Sequence, residues 1–200
     1  MLRLHIALCV PGMPLDGYIL RSDKSLGGAE TAGLSMAFAL AQRGHKISLY
    51  CNAPKHDTVD KVEIIPIAEY PPRIMHTPYD IVVVQRVPDA VIKNNAKLMY
   101  MWMHDLALKR NRGPLHAKLW MVDGLFVLSD FHKMQYKDVY GIKEEFLLKT
   151  RNGIDLSLFP RPNNKQRRDP NLCIYVGRPE RGMDILVGKI FPEILKRRPQ

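Results

Sequence analysis

"GGAETAGLSMAFALAQRGHKISLYC", residues Gly27–Cys51, decides the fold. Two adjacent glycines open a run of helix-forming residues, and the run stops at Arg43-Gly44 before a short, apolar, β-rich stretch. Glycine just past the last helical residue is a common stop, because it enters the left-handed conformation without a Cβ penalty. Ala32, Met36, Ala39 and Leu40 recur at helical spacing and are expected to form the buried face. Upstream, "LRLHIALCV", Leu2–Val10, reads as a first strand, joined to the glycines by a polar loop of about sixteen residues. Strand, loop, helix and strand in succession form the repeating unit of a parallel sheet.

The pattern continues outward. "KVEIIPI", "YDIVVVQR", "AKLMYMWMH" and "GLFVLS" read as further strands. "YDIVVVQR" is almost continuously apolar, as a strand covered on both faces should be. "DFHKMQYKDVYG" reads as a helix ending at Gly141, and "EEFLLKTRNGID" as a strand running into a turn. The fold class expected is α/β, a Rossmann-like, doubly wound parallel sheet with a truncated second α/β domain. Ligands in such sheets bind at the carboxyl ends of the strands. "FPRPNNKQRRDPN", Phe159–Asn171, is rich in proline, asparagine and charge and reads as a linker. The expected organisation is residues 1–160 as the first domain, 161–170 as linker, and 171–200 as the first strand and helix of a second domain. Thirty residues are too few to bury a core of their own, so that domain is expected to be cut short.

The net charge is +10, and it is uneven. Residues 1–159 hold 20 basic and 16 acidic side chains, whereas residues 160–200 hold 10 and 4. Such a surface concentrates anions, whether phosphates, nucleotides or anionic lipid, or it serves solubility alone. The basic residues are not interleaved with aromatics and no nucleic-acid signature is present, so a nucleic-acid partner is not expected. Three cysteines, Cys9, Cys51 and Cys173, show no CxxC spacing, and the seven histidines show no ligand spacing. No metal site is expected, and the cysteines read as reduced thiols of a cytoplasmic protein. No apolar run is long enough to span a membrane.

Gly27-Gly28 precede a helix start, where unpaired N–H groups and the helix dipole favour an anion. A flexible helix start is the plainer reading. The stretch is neither GxGxxG nor a phosphate-binding loop ending in GK[ST]. Glu30 complements the dipole in the first turn, as a capping acid or as a ligand. His104-Asp105 closes a buried strand at the edge where ligands sit. A histidine there can exchange hydrogen bonds or protons near neutral pH, or it can simply pack against a backbone carbonyl. Ser129 reads as an N-cap. Asn152-Gly153 is a turn signal.

"GGAETAGLSMAFALAQRGHKISLYC", "WMHDL", "VLSDFHKMQY", "TRNGIDLSLF" and "YVGRPERGMDIL", in this order, resemble the retaining family-4 glycosyltransferases of GT-B architecture. The resemblance spans the whole chain. It implies two Rossmann-like domains facing each other across a cleft. The N-terminal one would take a glycan or lipid-linked acceptor, and the C-terminal one a nucleotide-sugar donor. The implied enzyme is a hexosyltransferase-type catalyst of polysaccharide biosynthesis that transfers the sugar with retention. It needs no cofactor and no metal, the nucleotide-sugar being a substrate. Such enzymes work in the cytoplasm, and a peripheral contact at the inner face of the membrane is a further expectation; "LKRNRGPLHAK" and "LKRRPQ" could attract anionic lipid.

By residue, the resemblance implies that His104 lines the active site as its catalytic histidine, donating to a sugar hydroxyl. Gly27, Gly28, Arg178 and Arg181 would bind the donor diphosphate, since guanidinium groups fork onto phosphate oxygens. Glu30, Asp105, Ser129 and Asn152 would line the substrate. The family usually has lysine, after a longer gap, where this chain has Arg181. The family's pair of glutamates separated by seven residues is expected beyond residue 200. The chain alone is therefore expected to be poorly active, and a binding module that keeps only the acceptor half of the cleft is the alternative.

Overall fold

The structure, a computed structural model, describes residues 2–14, 26–154, 156, 169, 171–177 and 179–198. The chain divides into two compact units, Met1–Ile154 and Asp155–Gln200.

In the first unit, β1 (His5–Pro14) leads to α1 (Gly28–Gln42) and β2 (Lys46–Asn52). A hairpin follows, β3 (Asp57–Val59) and β4 (Val62–Pro66), and then α2 (Tyr70–His76) and β5 (Ile81–Gln85). The unit closes with β6 (Leu98–Trp102), α3 (Arg112–His116), β7 (Gly124–Val127), α4 (Asp130–Tyr140) and β8 (Leu147–Lys149). The eight strands form one sheet in the order β3-β4-β2-β1-β5-β6-β7-β8. Among the described residues only the β3–β4 pair is antiparallel. This is the doubly wound α/β fold that the alternation of strands and helices implies.

Residues 6–10 of β1 alternate in direction and are buried on both faces. Ile6, Leu8 and Val10 join Leu34, Ala37 and Ala41 of α1 in one core. Ala7 and Cys9 join Tyr70 and Ile74 of α2, and Tyr136 and Tyr140 of α4, in the other. Strand-helix-strand crossovers of one hand put the helices before and after the reversal of strand order on opposite faces.

The face of α1 differs from the expected one. Its buried residues are Glu30, Gly33, Leu34, Ala37 and Ala41. Ala32, Met36 and Leu40 are half-buried and Ala39 is exposed. A helix rich in alanine on all sides gives the apolar spacing little contrast, so packing decides the face. Gly33 settles it: a Cβ there would meet Val10 Cγ2 at 2.8 Å, so the missing side chain lets α1 lie close on β1.

The β3–β4 hairpin turns at Asp60-Lys61, with φ of 47° and 69°. Two consecutive positive φ values define the tight turn whose twist suits a hairpin. Asp-Lys lacks the glycine that usually marks such a turn, so the hairpin left no plain signal.

In the second unit, Leu172–Val176 carry no strand, and four of these five residues are exposed. The strand expected here has no ladder partner among the described residues. The helical part runs through α5 (Met183–Ile185), a π-type segment (Leu186–Ile190) and α6 (Phe191–Arg197). Among the described residues no helix is long and apolar enough to cross a membrane.

Candidate functional site

Strand order reverses between β1 and β5: β2, β4 and β3 lie to one side of this pair, and β6, β7 and β8 to the other. The carboxyl ends of β1 and β5 therefore mark the switch point, the usual ligand position in such sheets. Three pieces of chain meet there: the start of α1, the end of β5 and the end of β6.

Two polar strings connect them. In the neutral string, Gln85, the last residue of β5 and only 3% exposed, has Nε2 2.8 Å from the Ala29 carbonyl and 3.0 Å from His104 Nε2. In the charged string, Arg86 donates from Nε to Asp105 Oδ2 at 2.8 Å and lies 3.9 Å from Glu30 Oε1. Arg86 takes φ of 65°, in the left-handed region. That conformation costs a residue with a Cβ about 1 kcal/mol. It turns the chain sharply out of the buried strand, while the Arg86 N–H still donates to the Trp102 carbonyl at 3.0 Å.

Glu30 is 5% exposed, and its carboxylate occupies the space where Cβ atoms of Gly12 and Gly27 would stand. These two glycines thus have a packing reason, the accommodation of a buried acid at a helix N-terminus where the dipole favours it. Gly27 is the N-cap of α1, with extended backbone. Gly28 is exposed, and nothing lies within 4 Å of where its Cβ would be.

His104 is half-buried and its ring is tilted against Trp102, centroids 4.6 Å apart. Burial, then the positive charge of Arg86, lower its pKa to about 4. The imidazole is therefore neutral at pH 7. Asp105 also contributes its backbone: the carbonyl accepts from His132 Nε2 at 2.8 Å and from the Tyr136 hydroxyl at 3.2 Å. His132 Nδ1 accepts from the Leu128 N–H at 3.2 Å. Helix α4 thereby anchors the loop after β6. Ser129 caps α4, its side chain accepting from the His132 N–H at 3.1 Å.

Of the residues singled out in the sequence, Glu30, His104 and Asp105 are brought into this one cluster, with Gly27 against Glu30 and Ser129 bonded to His132. Asn152 is exposed, in the loop 151–154. Arg181 is exposed in a short 3-10 turn, Pro179–Arg181, of the second unit. Arg178 lies outside the described residues. Gln85, Arg86 and His132 were not anticipated. The signal for the first two was a polar pair, Gln-Arg, closing an otherwise apolar strand. For His132 it was a histidine three residues after a capping serine. Among the described residues no group of three metal-ligating side chains is present. A separate cavity of about 420 Å³ lies beside Met99 at the start of β6 and Asp123, just before β7, with Ile92 and Trp120 in its wall. None of the candidate residues lines it.

No protein-family profile matches the chain, and no curated protein matches its sequence. Solved structures do share its fold. A glycosyltransferase from Rickettsia africae superimposes with a TM-score of 0.53 at 15% identity, over 95% of this chain and 50% of that one. Anabaena HepE, solved in complex with UDP-glucose, superimposes with a TM-score of 0.52 at 12% identity, over 78% of this chain and 46% of that one. The chain thus spans about half the length of these two structures. Identities this low establish a shared architecture, and the architecture is that of known glycosyltransferases.

Proposed function

We propose that this chain is the acceptor-side part, with the beginning of the donor-side part, of a nucleotide-sugar-dependent glycosyltransferase. The carrying observation is the His104–Gln85 and Arg86–Asp105 cluster at the switch point of a sheet whose structural neighbours are glycosyltransferases. The finer reading follows the sequence resemblance. The enzyme is a retaining, hexosyltransferase-type member of the family-4 kind, acting in polysaccharide biosynthesis on a glycan or lipid-linked acceptor.

In that reading residues 1–160 form the acceptor domain, 161–170 the linker and 171–200 the start of the donor domain. His104 donates a hydrogen bond to a sugar hydroxyl. Gly27, Gly28, Arg178 and Arg181 hold the diphosphate, whose developing charge amide and guanidinium donors stabilise. Glu30, Asp105, Ser129 and Asn152 line the substrate. The acceptor hydroxyl attacks on the face that the diphosphate leaves, and a diphosphate oxygen takes its proton, so neither a protein nucleophile nor a metal is needed. The protein works in the cytoplasm. Exposed Leu106 and Leu108, followed by exposed Lys109, Arg110 and Arg112, favour peripheral attachment to anionic lipid. Each basic residue near such a surface contributes about 1 kcal/mol. Flotation with vesicles containing phosphatidylglycerol, against phosphatidylcholine alone, tests that attachment.

The central reading is tested by amide NMR of the labelled chain during titration with UDP-, GDP- and ADP-sugars and with oligosaccharides. Shift changes should concentrate at Gly27–Glu30 and at 85–86 and 104–105. Changes confined to other surfaces, or none with any ligand, overturn it. A second reading is a binding module that holds acceptor without turnover. It is distinguished by glycan binding in the absence of any sugar transfer.

A further inference from the structure

The structure assigns Gln85 a positioning role: its side-chain amide fixes His104 as the Nδ1-protonated neutral imidazole, leaving Nδ1–H as the donor that a ligand meets. The tautomer follows from the geometry alone. Only its use on a sugar oxygen rests on the proposed glycosyl transfer.

The Ala29 carbonyl can only accept a hydrogen bond, so the group 2.8 Å from it on Gln85 must be the amide nitrogen. That nitrogen carries two hydrogens. One points to Ala29, and the second meets His104 Nε2 at 3.0 Å. An amide hydrogen requires a lone pair opposite it, so Nε2 carries no proton and the ring hydrogen sits on Nδ1. The amide oxygen lies on the other side, 3.4 Å from where a Cβ on Gly33 would stand. A bulkier residue at Gly33 would press on that oxygen. Gln85 is also nearly fully buried, so the amide has little room to turn over.

The surrounding charges agree with this assignment. Arg86 and His132 oppose a positive His104, whereas Asp105 and Glu30 favour one. The two carboxylates already face Arg86. Protonating His104 would set an Nε2–H against the amide hydrogens of Gln85, two donors facing each other. Nδ1 has no partner among the described residues, so the ring offers a donor and no free acceptor. His104 is then suited to bind an oxygen, such as a sugar hydroxyl or a phosphoryl oxygen. It is not arranged to act as a general base through Nε2.

His132 provides a control within the same molecule. Its Nδ1 accepts from the Leu128 N–H and its Nε2 donates to the Asp105 carbonyl, which fixes the opposite tautomer. Long-range nitrogen–proton correlation NMR on histidine-labelled protein at pH 7 separates the two forms. Wild type should show His104 protonated on Nδ1 and His132 protonated on Nε2. Gln85→Glu places an acceptor opposite Nε2 and should move the His104 proton to Nε2 while leaving His132 unchanged. Gln85→Met, which removes both hydrogen bonds, should give mixed tautomers. A wild-type His104 protonated on Nε2 overturns the assignment, as does a Gln85→Glu protein whose His104 pattern does not move. If a variant does not fold, the wild-type spectrum alone decides. In a transfer assay, Gln85→Glu should cost roughly two to three orders of magnitude in turnover, the scale of one lost donor. The expected tautomers without any sugar binding would leave the positioning role standing and sink the glycosyltransferase reading. Sugar transfer with the reversed tautomer would do the opposite.

Discussion

Replacing Arg86 by alanine and, separately, by glycine isolates what its left-handed backbone costs. Arg86 holds φ of 65° and is paired with Asp105 and Glu30. Both substitutions remove the same guanidinium and both ion pairs. The Asp105 pair is worth little in either case, since the side chains are 35% and 57% exposed. Pairs as wet as this contribute about 0.2–1 kcal/mol. The loss of a cation beside the buried Glu30 is larger, and it is common to both variants. What differs is the Cβ. Alanine keeps the left-handed penalty of about 1 kcal/mol, and glycine removes it. In ordinary helix or strand the order is reversed, alanine being favoured by roughly 0.5–1 kcal/mol. The expectation is that Arg86→Gly is more stable than Arg86→Ala by about 1 kcal/mol, or roughly 2–4 °C in Tm for a chain of this size. Urea unfolding at constant m measures it. An alanine variant equal to or more stable than the glycine variant refutes the backbone argument. The same proteins test the electrostatics. Arg86 is the second cause, after burial, of the low His104 pKa of about 4. Both variants should raise that pKa without restoring the unfolded value of 6.5, because the burial remains. An NMR titration in which the His104 pKa does not move refutes the coupling.

Gly33→Ala gains about 1 kcal/mol of helix propensity but forces a Cβ to 2.8 Å from Val10 Cγ2, an overpacking cost of about 1–3 kcal/mol. It should melt below wild type, while Gly28→Ala, with nothing within 4 Å, should melt at or above it. Ser129→Ala removes the N-cap of α4 and should cost about 1 kcal/mol in urea unfolding, with a weakened His132–Asp105 contact visible by NMR. Stability should fall as pH drops from 6.5 toward 4. The folded state resists protonating His104 while the unfolded chain accepts the proton, a difference on the order of 2–3 kcal/mol. His132, whose pKa burial also lowers, acts in the same direction. His104→Asn should flatten this slope in chemical denaturation at pH 7, 6 and 5.

The elements legible in the sequence were those with strong local signals. β5 and β6 are nearly continuous apolar runs, and α1 and α4 stop just before Gly44 and Gly141, both with positive φ. What the sequence did not show was set by tertiary contact. Alanines surround α1, so its buried face was fixed by the fit of Gly33 on Val10. The β3–β4 hairpin bends at Asp60-Lys61, residues whose type gives no hint of positive φ. At the site, His104 and Asp105 were legible as polar residues ending a buried strand. Gln85 and Arg86 end the adjacent strand in the same way, but their partners are 19 residues away in sequence. Only the parallel register that sets Gln85 beside Trp102 brings those partners together.

The same three elements are tied twice, once by neutral groups and once by charged ones, and the separation has a chemical consequence. A histidine next to an aspartate is ordinarily pulled toward protonation. Here the Asp105 carboxylate faces Arg86 at 2.8 Å, and Glu30 faces the same guanidinium. The carboxylates and the arginine act on His104 with opposite signs, so burial is left as the leading influence and the ring stays neutral. The neutral ring is then held by an amide, a partner that cannot titrate. In the proposed tautomer the switch point presents a hydrogen-bond donor that stays neutral at pH 7, near the start of a helix whose dipole favours oxygen-rich ligands. A site meant to take up a proton from an attacking hydroxyl would need the opposite arrangement, a histidine with a free lone pair and a pKa near neutrality. The arrangement is consistent with the proposed transfer, in which the protein binds and orients oxygens while the proton moves between substrate groups.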